Sequence, residues 1–126
     1  MRLSDCHNID DFRQLAKARL PFPVFDYIDG AADDELTKAR NTAAFSDVDL
    51  VPDVLAGVAE IDTSCTILGR KSALPLMLSP TAVQRAFHWQ GETAVARAAE
   101  KYGLWFGISS LATRSIEEIA ALTSGP

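Results

Sequence analysis

"LPLMLSP" (74–80) is a continuous apolar run that stops at Ser79-Pro80. Such a run suits a strand covered on both faces. Outward from it, "GETAVARAAEKYG" (91–103) has helical spacing. That spacing predicts a helix with Val95, Ala98, Ala99 and Tyr102 facing inward and Gly103 closing it. "LWFGISS" (104–110) is a second apolar run, and "SIEEIAALTSG" (115–125) reads as a helix from a capping box, Ser115 to Glu118, to Gly125. The order is strand, helix, strand, helix, and the first connection is long enough for a right-handed parallel crossover.

Parallel βα units bind ligands at the carboxyl ends of their strands. Two segments fall there: Ser79-Pro80-Thr81-Ala82 and Ser109-Ser110-Leu111. Their small side chains let a flat ligand approach the backbone, whose N–H and C=O groups can bond its polar edge. Ser, Thr and Pro also end strands in ordinary proteins, so both readings stay open on the residues alone.

The N-terminal third reads as helical. Asn8 caps "IDDFRQLAKARL", with Ile9, Phe12, Ala16 and Leu20 on one side and Pro21 as the stop. Pro23 sits in the first turn of a short helix through Tyr27 and Ile28 that ends at Gly30. Asp33 is the expected cap of "DELTKARNTAAF", with Leu36, Ala39, Ala43 and Phe45 inward. Five acids (Asp26, Asp29, Asp33, Asp34 and Glu35) crowd around Tyr27. Acids favour the positive ends of helix dipoles, so they read as helix-start chemistry and a soluble face pointing away from any ligand. A metal site is the lesser alternative, because they lack a cation-loop spacing. Between Val48 and Leu74 the chain is irregular, and "CTILGRKSALP" reads as two extended pieces turning at Gly69-Arg70-Lys71.

The 126 residues are 48% hydrophobic and 23% charged, which predicts a folded domain. A net charge of −5 argues against a nucleic-acid partner. The apolar runs are too short to span a membrane, and the N-terminus has no apolar core of signal-peptide type. Cys6 and Cys65 lack metal or redox spacing and read as free thiols in a reducing cytoplasm.

"FDYIDGAADDE", "RNTAAFSDV", "LGRKSALPLMLSPTAVQ", "GETAVARAAEKYG" and "ISSLATRSIEEIA", in that order, resemble the N-terminal part of the FMN-dependent 2-hydroxy acid oxidase and dehydrogenase family. The resemblance runs from about Asp11 to Gly125. It implies an α/β fold, with N-terminal helices leading into the first βα units of a (β/α)8 TIM barrel that this chain leaves incomplete. The chain then divides into a helical lead (1–47), an extended segment with a hairpin (48–74) and two βα units (75–126).

The resemblance also implies FMN at the strand ends and oxidation of a small L-2-hydroxy acid to the 2-oxo acid. By position, Pro80-Thr81-Ala82 resembles the backbone along the flavin, and Ser109 the residue at the ring's polar edge. Tyr27 resembles the tyrosine that meets the substrate carboxylate. Ala82 and Leu111 resemble residues lining the pocket for the substrate side chain. Some members carry tryptophan at the Leu111 position, so an aliphatic residue implies a different pocket shape.

The family's histidine base and carboxylate-binding arginines match no position here. His7 lies in the lead and His88 in the loop "RAFHWQG". The expectation is an inactive isolated chain, a truncation or one part of a split enzyme whose complementary chain completes the barrel. The complete enzyme is expected to be a cytoplasmic homo-oligomer, with peripheral membrane association open. The competing expectation is a non-catalytic interaction module that folds with a partner.

Overall fold

The computed structural model describes residues 2–124. They fall into two compact units, Met1–Val58 and Ala59–Pro126. The boundary lies inside the irregular segment 48–74 rather than at either of its ends.

The first unit is helical. Helix α1 (Ile9–Arg19) starts as expected, with the Asp11 N–H donating to Asn8 Oδ1 at 2.9 Å. It stops before Pro21 with Leu20 extended. Helix α2 (Phe22–Asp29) opens with Pro23 in its first turn, where a missing N–H costs nothing. The buried side chains of this pair are Leu15 and Phe25. The expected apolar stripe of α1 is therefore rotated: Leu15 takes the inner position, while Ile9 and Phe12 are exposed.

Gly30 ends α2, and a Cβ there would lie 2.7 Å from the Asp26 carbonyl oxygen. Helix α3 (Leu36–Ala43) begins later than expected. Its cap position is Glu35, not Asp33, and both residues have left-handed backbone. The Glu35 carboxylate reaches back to the Ala31 N–H at 2.9 Å and to Lys38 Nζ at 3.0 Å. The side expected to face inward on α3 and its extension, Leu36, Ala39, Ala43 and Phe45, is exposed. No further element of this unit covers it.

The acidic run is more structural than its sequence suggests. Asp29 sits at the end of α2, not at a helix start, and is gripped at both oxygens by Arg13 of α1, with Nη2 at 2.8 Å. Lys38 Nζ approaches it at 4.0 Å. The Arg13 hydrogen bonds hold the Asp29 carboxyl below the usual carboxylate range.

The segment 48–64 carries no regular element, and Val48, Leu50, Val51, Val54, Leu55, Val58 and Ile61 along it are exposed. In the second unit, β1 (Cys65–Ile67) pairs antiparallel with β2 (Arg70–Ser72). Ile67 faces Arg70, so the turn is Leu68-Gly69 and not Gly69-Arg70-Lys71. Both turn residues have positive φ, 47° and 79°, the two-residue form that matches strand twist.

The parallel unit has the expected topology. Strand β3 (Met77–Leu78) lies parallel to β4 (Trp105–Phe106), with Met77 opposite Trp105. Helix α4 (Glu92–Tyr102) connects them and closes at Gly103 with φ +64°. Burial departs from expectation. On α4 the buried positions are Glu92, Ala96 and Ala99, whereas Ala98 and Tyr102 are exposed. The strands are short, and Leu76 and Met77 are half exposed, not covered on both faces. The described residues form no closed barrel, so β3 has no sheet neighbour on its second side.

Leu104, Phe106 and Ile108 occupy alternate positions facing Ala99 of α4 and Ile119 of α5 (Ile116–Ala120). The capping box is present: the Glu118 N–H donates to Ser115 Oγ at 3.1 Å, and the Ser115 N–H donates to Glu118 Oε2 at 2.9 Å. The helix ends at Ala120, short of expectation. Ser124 then donates twice to Glu100 Oε1 of α4, at 2.8 and 2.9 Å, drawing the chain back onto that helix. Its expected end at Gly125 lies outside the described residues.

Glu92 is wholly buried at the start of α4. Its carboxylate accepts from the Thr113 N–H at 2.8 Å and the Thr113 hydroxyl at 2.6 Å. Burial pushes the carboxyl up, but the Thr113 bonds, with help from its own N–H and that of Gln84, bring it below its ordinary 4.5.

Two stability predictions follow from local geometry. Leu68 is 85% exposed in a left-handed turn position. Leu68→Asn removes a conformational penalty of about 1–2 kcal/mol without removing a buried contact. It is expected to raise the urea midpoint; an unchanged or lower midpoint would sink that account of the turn. Glu92→Gln replaces two charge-assisted bonds to Thr113 with neutral ones, the hydroxyl turning to accept from the amide NH2, and is expected to cost about 1–3 kcal/mol at pH 7. A carboxyl depressed in the folded state stabilises above its unfolded pKa and loses that contribution as pH falls through the folded value. The deficit of Glu92→Gln should therefore be full near neutrality and shrink below pH 4.5. Denaturation curves across pH that stay parallel would count against it.

Candidate functional site

Both candidate segments lie at the carboxyl ends of β3 and β4, where they form one connected surface. The parallel ladder runs out as the Gly107 N–H donates to the Leu78 carbonyl at 3.0 Å. Beyond that point Pro80 has no N–H to continue it. The N–H groups of Thr81 and Ala82 find no acceptor among the described residues. The chain then bends at Val83, whose φ of 45° is left-handed, an unfavourable conformation for a β-branched residue. That bend directs the Val83 N–H onto the Leu111 carbonyl at 3.0 Å, tying one loop to the other.

Each loop is also held from within. The buried Gln84 side chain donates to the Thr81 carbonyl at 3.4 Å. In the second loop the Leu111 N–H donates to Ser109 Oγ at 3.2 Å, and the Ala112 N–H donates to the Ser109 carbonyl at 3.0 Å. The Ser109 hydroxyl thus accepts one bond and keeps its proton for another partner. Thr81, Ala82 and Ser109 are half-buried, while Pro80 and Leu111 are exposed.

Gly107 completes the surface. A Cβ at this position would lie 3.0 Å from Pro80 Cδ, so a larger residue would push the first loop outward. The result is a patch of small side chains with free backbone donors and a hydroxyl at one edge. It can seat a flat conjugated ring and bond its polar rim.

The structure thus brings together Pro80, Thr81, Ala82, Ser109 and Leu111. Tyr27 lies in the other unit, on α2, with 62% of its surface exposed. Of its acidic neighbours, Asp29 and Glu35 are occupied by Arg13, Lys38 and the Ala31 N–H. His88 is exposed in its loop, its Nδ1 accepting from the Gln90 N–H at 3.3 Å, and His7 is exposed in the lead. Cys6 and Cys65 are free thiols. Among the described residues no group of His, Cys, Asp or Glu is placed to hold a metal ion, and no helix is long and apolar enough to cross a membrane.

Three contributors escaped the sequence reading. Gly107 had a signal, a glycine inside an apolar strand run. Glu92 had a weaker one, an acid directly after the glycine that opens a helix. Val83 had none, since its residue type argues against the backbone it adopts.

Comparison with known proteins gives this surface a family. Residues 16–126 match the FMN-dependent dehydrogenase family. Glycolate oxidase of Spinacia oleracea is 42% identical over 118 residues, which are 94% of this chain and 32% of the spinach protein. 2-Hydroxyacid oxidase 1 of Homo sapiens is 45% identical over 112 residues, 89% of this chain and 30% of the human one. A mutant of an active chimera of (S)-mandelate dehydrogenase superposes with a TM-score of 0.86 at 36% identity, covering 94% of this chain and 33% of that one. Mandelate oxidase with 3,3-difluoro-2-hydroxy-3-phenylpropionic acid gives 0.84 at 38% identity, covering 92% and 35%. The chain spans about a third of the length of these relatives. With most of its residues matched, this chain belongs to the FMN-dependent dehydrogenase family.

Proposed function

We propose that this chain is the N-terminal section of an enzyme that oxidises a small L-2-hydroxy acid to the 2-oxo acid with FMN. The observation that carries the reading is the joined pair of strand-end loops, with free Thr81 and Ala82 N–H groups on one and the Ser109 hydroxyl on the other. This donor set fits a flavin, whose ring has a flat face and a rim of carbonyl and nitrogen acceptors. Bound FMN would supply the redox chemistry by accepting two electrons from the substrate.

The chain's own residues seat and orient. Pro80, Thr81 and Ala82 lie along the ring, with Gly107 keeping the approach open. Ser109 donates to the polar edge. Ala82 and Leu111 bound the space for the substrate side chain, and the exposed aliphatic Leu111 leaves that space wider than an indole would. Tyr27 supplies a neutral hydroxyl to the substrate carboxylate. A phenol hydroxyl donates one hydrogen bond from a rigid ring and so can orient the anion. Asp29 and Glu35, held by cations, add little repulsion toward it.

Proton abstraction needs a base within hydrogen-bond reach of the reacting carbon or hydroxyl. His7 and His88 are exposed, in the lead and in a loop beyond the candidate surface, and neither is assigned that task. The base and the cationic clamp belong, on this reading, to segments outside the 126 residues, in the same chain or a complementary one. The complete enzyme is read as a homo-oligomer.

The isolated 126-residue chain supplied with FMN is therefore expected to show no turnover of lactate, glycolate or mandelate. Measurable turnover would overturn the assignment of the base. In the full-length protein, Tyr27→Phe removes one hydrogen bond to a charged group, worth about 1.5–3 kcal/mol. Substrate affinity or turnover should fall roughly ten- to a hundredfold, with FMN content and Tm nearly unchanged. Steady-state kinetics and melting curves decide it. Intact kinetics for Tyr27→Phe, with a lowered Tm for Tyr27→Ala, would reduce Tyr27 to a packing residue.

A further inference from the structure

We infer that Glu92 is a positioning residue for the flavin surface, its buried carboxylate tying the start of α4, which follows the first strand-end loop, to the second loop through Thr113. This rests on the flavin-binding reading above. An acid in the first turn of a helix ordinarily lies in water, where the helix dipole alone favours it. Glu92 is 0% exposed, so its charge is desolvated and must be met by donors. Those donors come from the second loop. Thr113, four residues beyond Ser109, gives its N–H at 2.8 Å and its hydroxyl at 2.6 Å. In the first loop the Gln84 side chain donates to the Thr81 carbonyl at 3.4 Å.

The Val83 to Leu111 bond ties the two loops directly, while the Glu92 to Thr113 bonds tie the second loop to α4. The second loop is thus held at two points, Leu111 and Thr113, which limits its movement against the first. Glu92 touches neither ring nor substrate in this arrangement; its effect passes through Thr81, Ala82 and Ser109. A carboxylate is needed because both of its oxygens face donors. A glutamine keeps the bond to the Thr113 N–H and lets the hydroxyl turn to accept from its NH2, but both bonds lose the charge that strengthens them.

The test uses the full-length protein and three variants: Glu92→Gln, Thr113→Val and Thr113→Ser. FMN affinity is read by fluorescence titration, and the sharpness of the bound flavin's visible band reports on its seating. Amide hydrogen exchange at Thr81 and Ala82 is read without flavin. Glu92→Gln and Thr113→Val are expected to weaken FMN binding about tenfold, the factor one hydrogen bond of ordinary strength supplies. They should also broaden the band and speed exchange at Thr81 and Ala82, while Thr113→Ser keeps all three readouts close to wild type. A lower Tm with unchanged FMN affinity, band shape and exchange would make the Glu92 bond merely structural and overturn the inference. If Glu92→Gln does not fold, Thr113→Val decides alone, since it keeps the N–H bond and the side-chain shape. Failure of the wild-type protein to bind FMN would overturn the flavin reading and the role toward FMN with it, and the exchange rates would then report only on whether Glu92 holds the loops.

Discussion

Glu92 has no contact with water, so the free energy of its charge is set almost entirely by the Thr113 bonds. A carboxylate in such a place tolerates few arrangements of its surroundings. Removing a donor leaves the full desolvation penalty uncompensated, and moving one by an ångström weakens a charge-assisted bond steeply. The start of α4 is thereby locked to the segment after β4, and the parallel β3–β4 pair is held at the end where its loops emerge. The strands themselves are two residues each and could not impose that geometry alone.

Topology was legible in the sequence because it depends on coarse periodicity. Two apolar runs separated by a capped helix admit few solutions, and the parallel one is observed. The Asn8 cap, the Gly103 closure and the Ser115–Glu118 box were readable because each is a local contest won by a few residue types. Burial was less legible. The sequence placed Ala98 and Tyr102 of α4 inward, yet Ala96 and Glu92 occupy those positions. An alanine-rich helix carries a nearly uniform apolar surface, so its rotation is set by tertiary contacts that composition does not encode.

The candidate site was legible as a location but not as a mechanism of assembly. Pro80, Thr81, Ala82 and Ser109 were expected at strand ends from their place after apolar runs, and they follow β3 and β4 there. The left-handed backbone of Val83 was invisible, because no intrinsic preference points to it and the Leu111 bond that fixes it spans distant sequence. The acids near Tyr27 were misread for a related reason. Asp29 ends a helix instead of starting one, and its partner Arg13 lies 16 residues earlier. A charge pattern shows which residues can pair, not which do.

Thr113 lies 21 residues after Glu92. At a synthesis rate of about 5–20 residues per second, the carboxylate waits roughly 1–4 s for its partner to be made. Helix formation takes microseconds or less, so α4 can form on the nascent chain long before the donors that bury its first residue exist. Through that interval Glu92 stays hydrated, and the N-terminus of α4 remains open to water. The loops therefore take their final spacing late, after both strands have been synthesised, and the strand-end surface is among the last parts of this segment to acquire its shape.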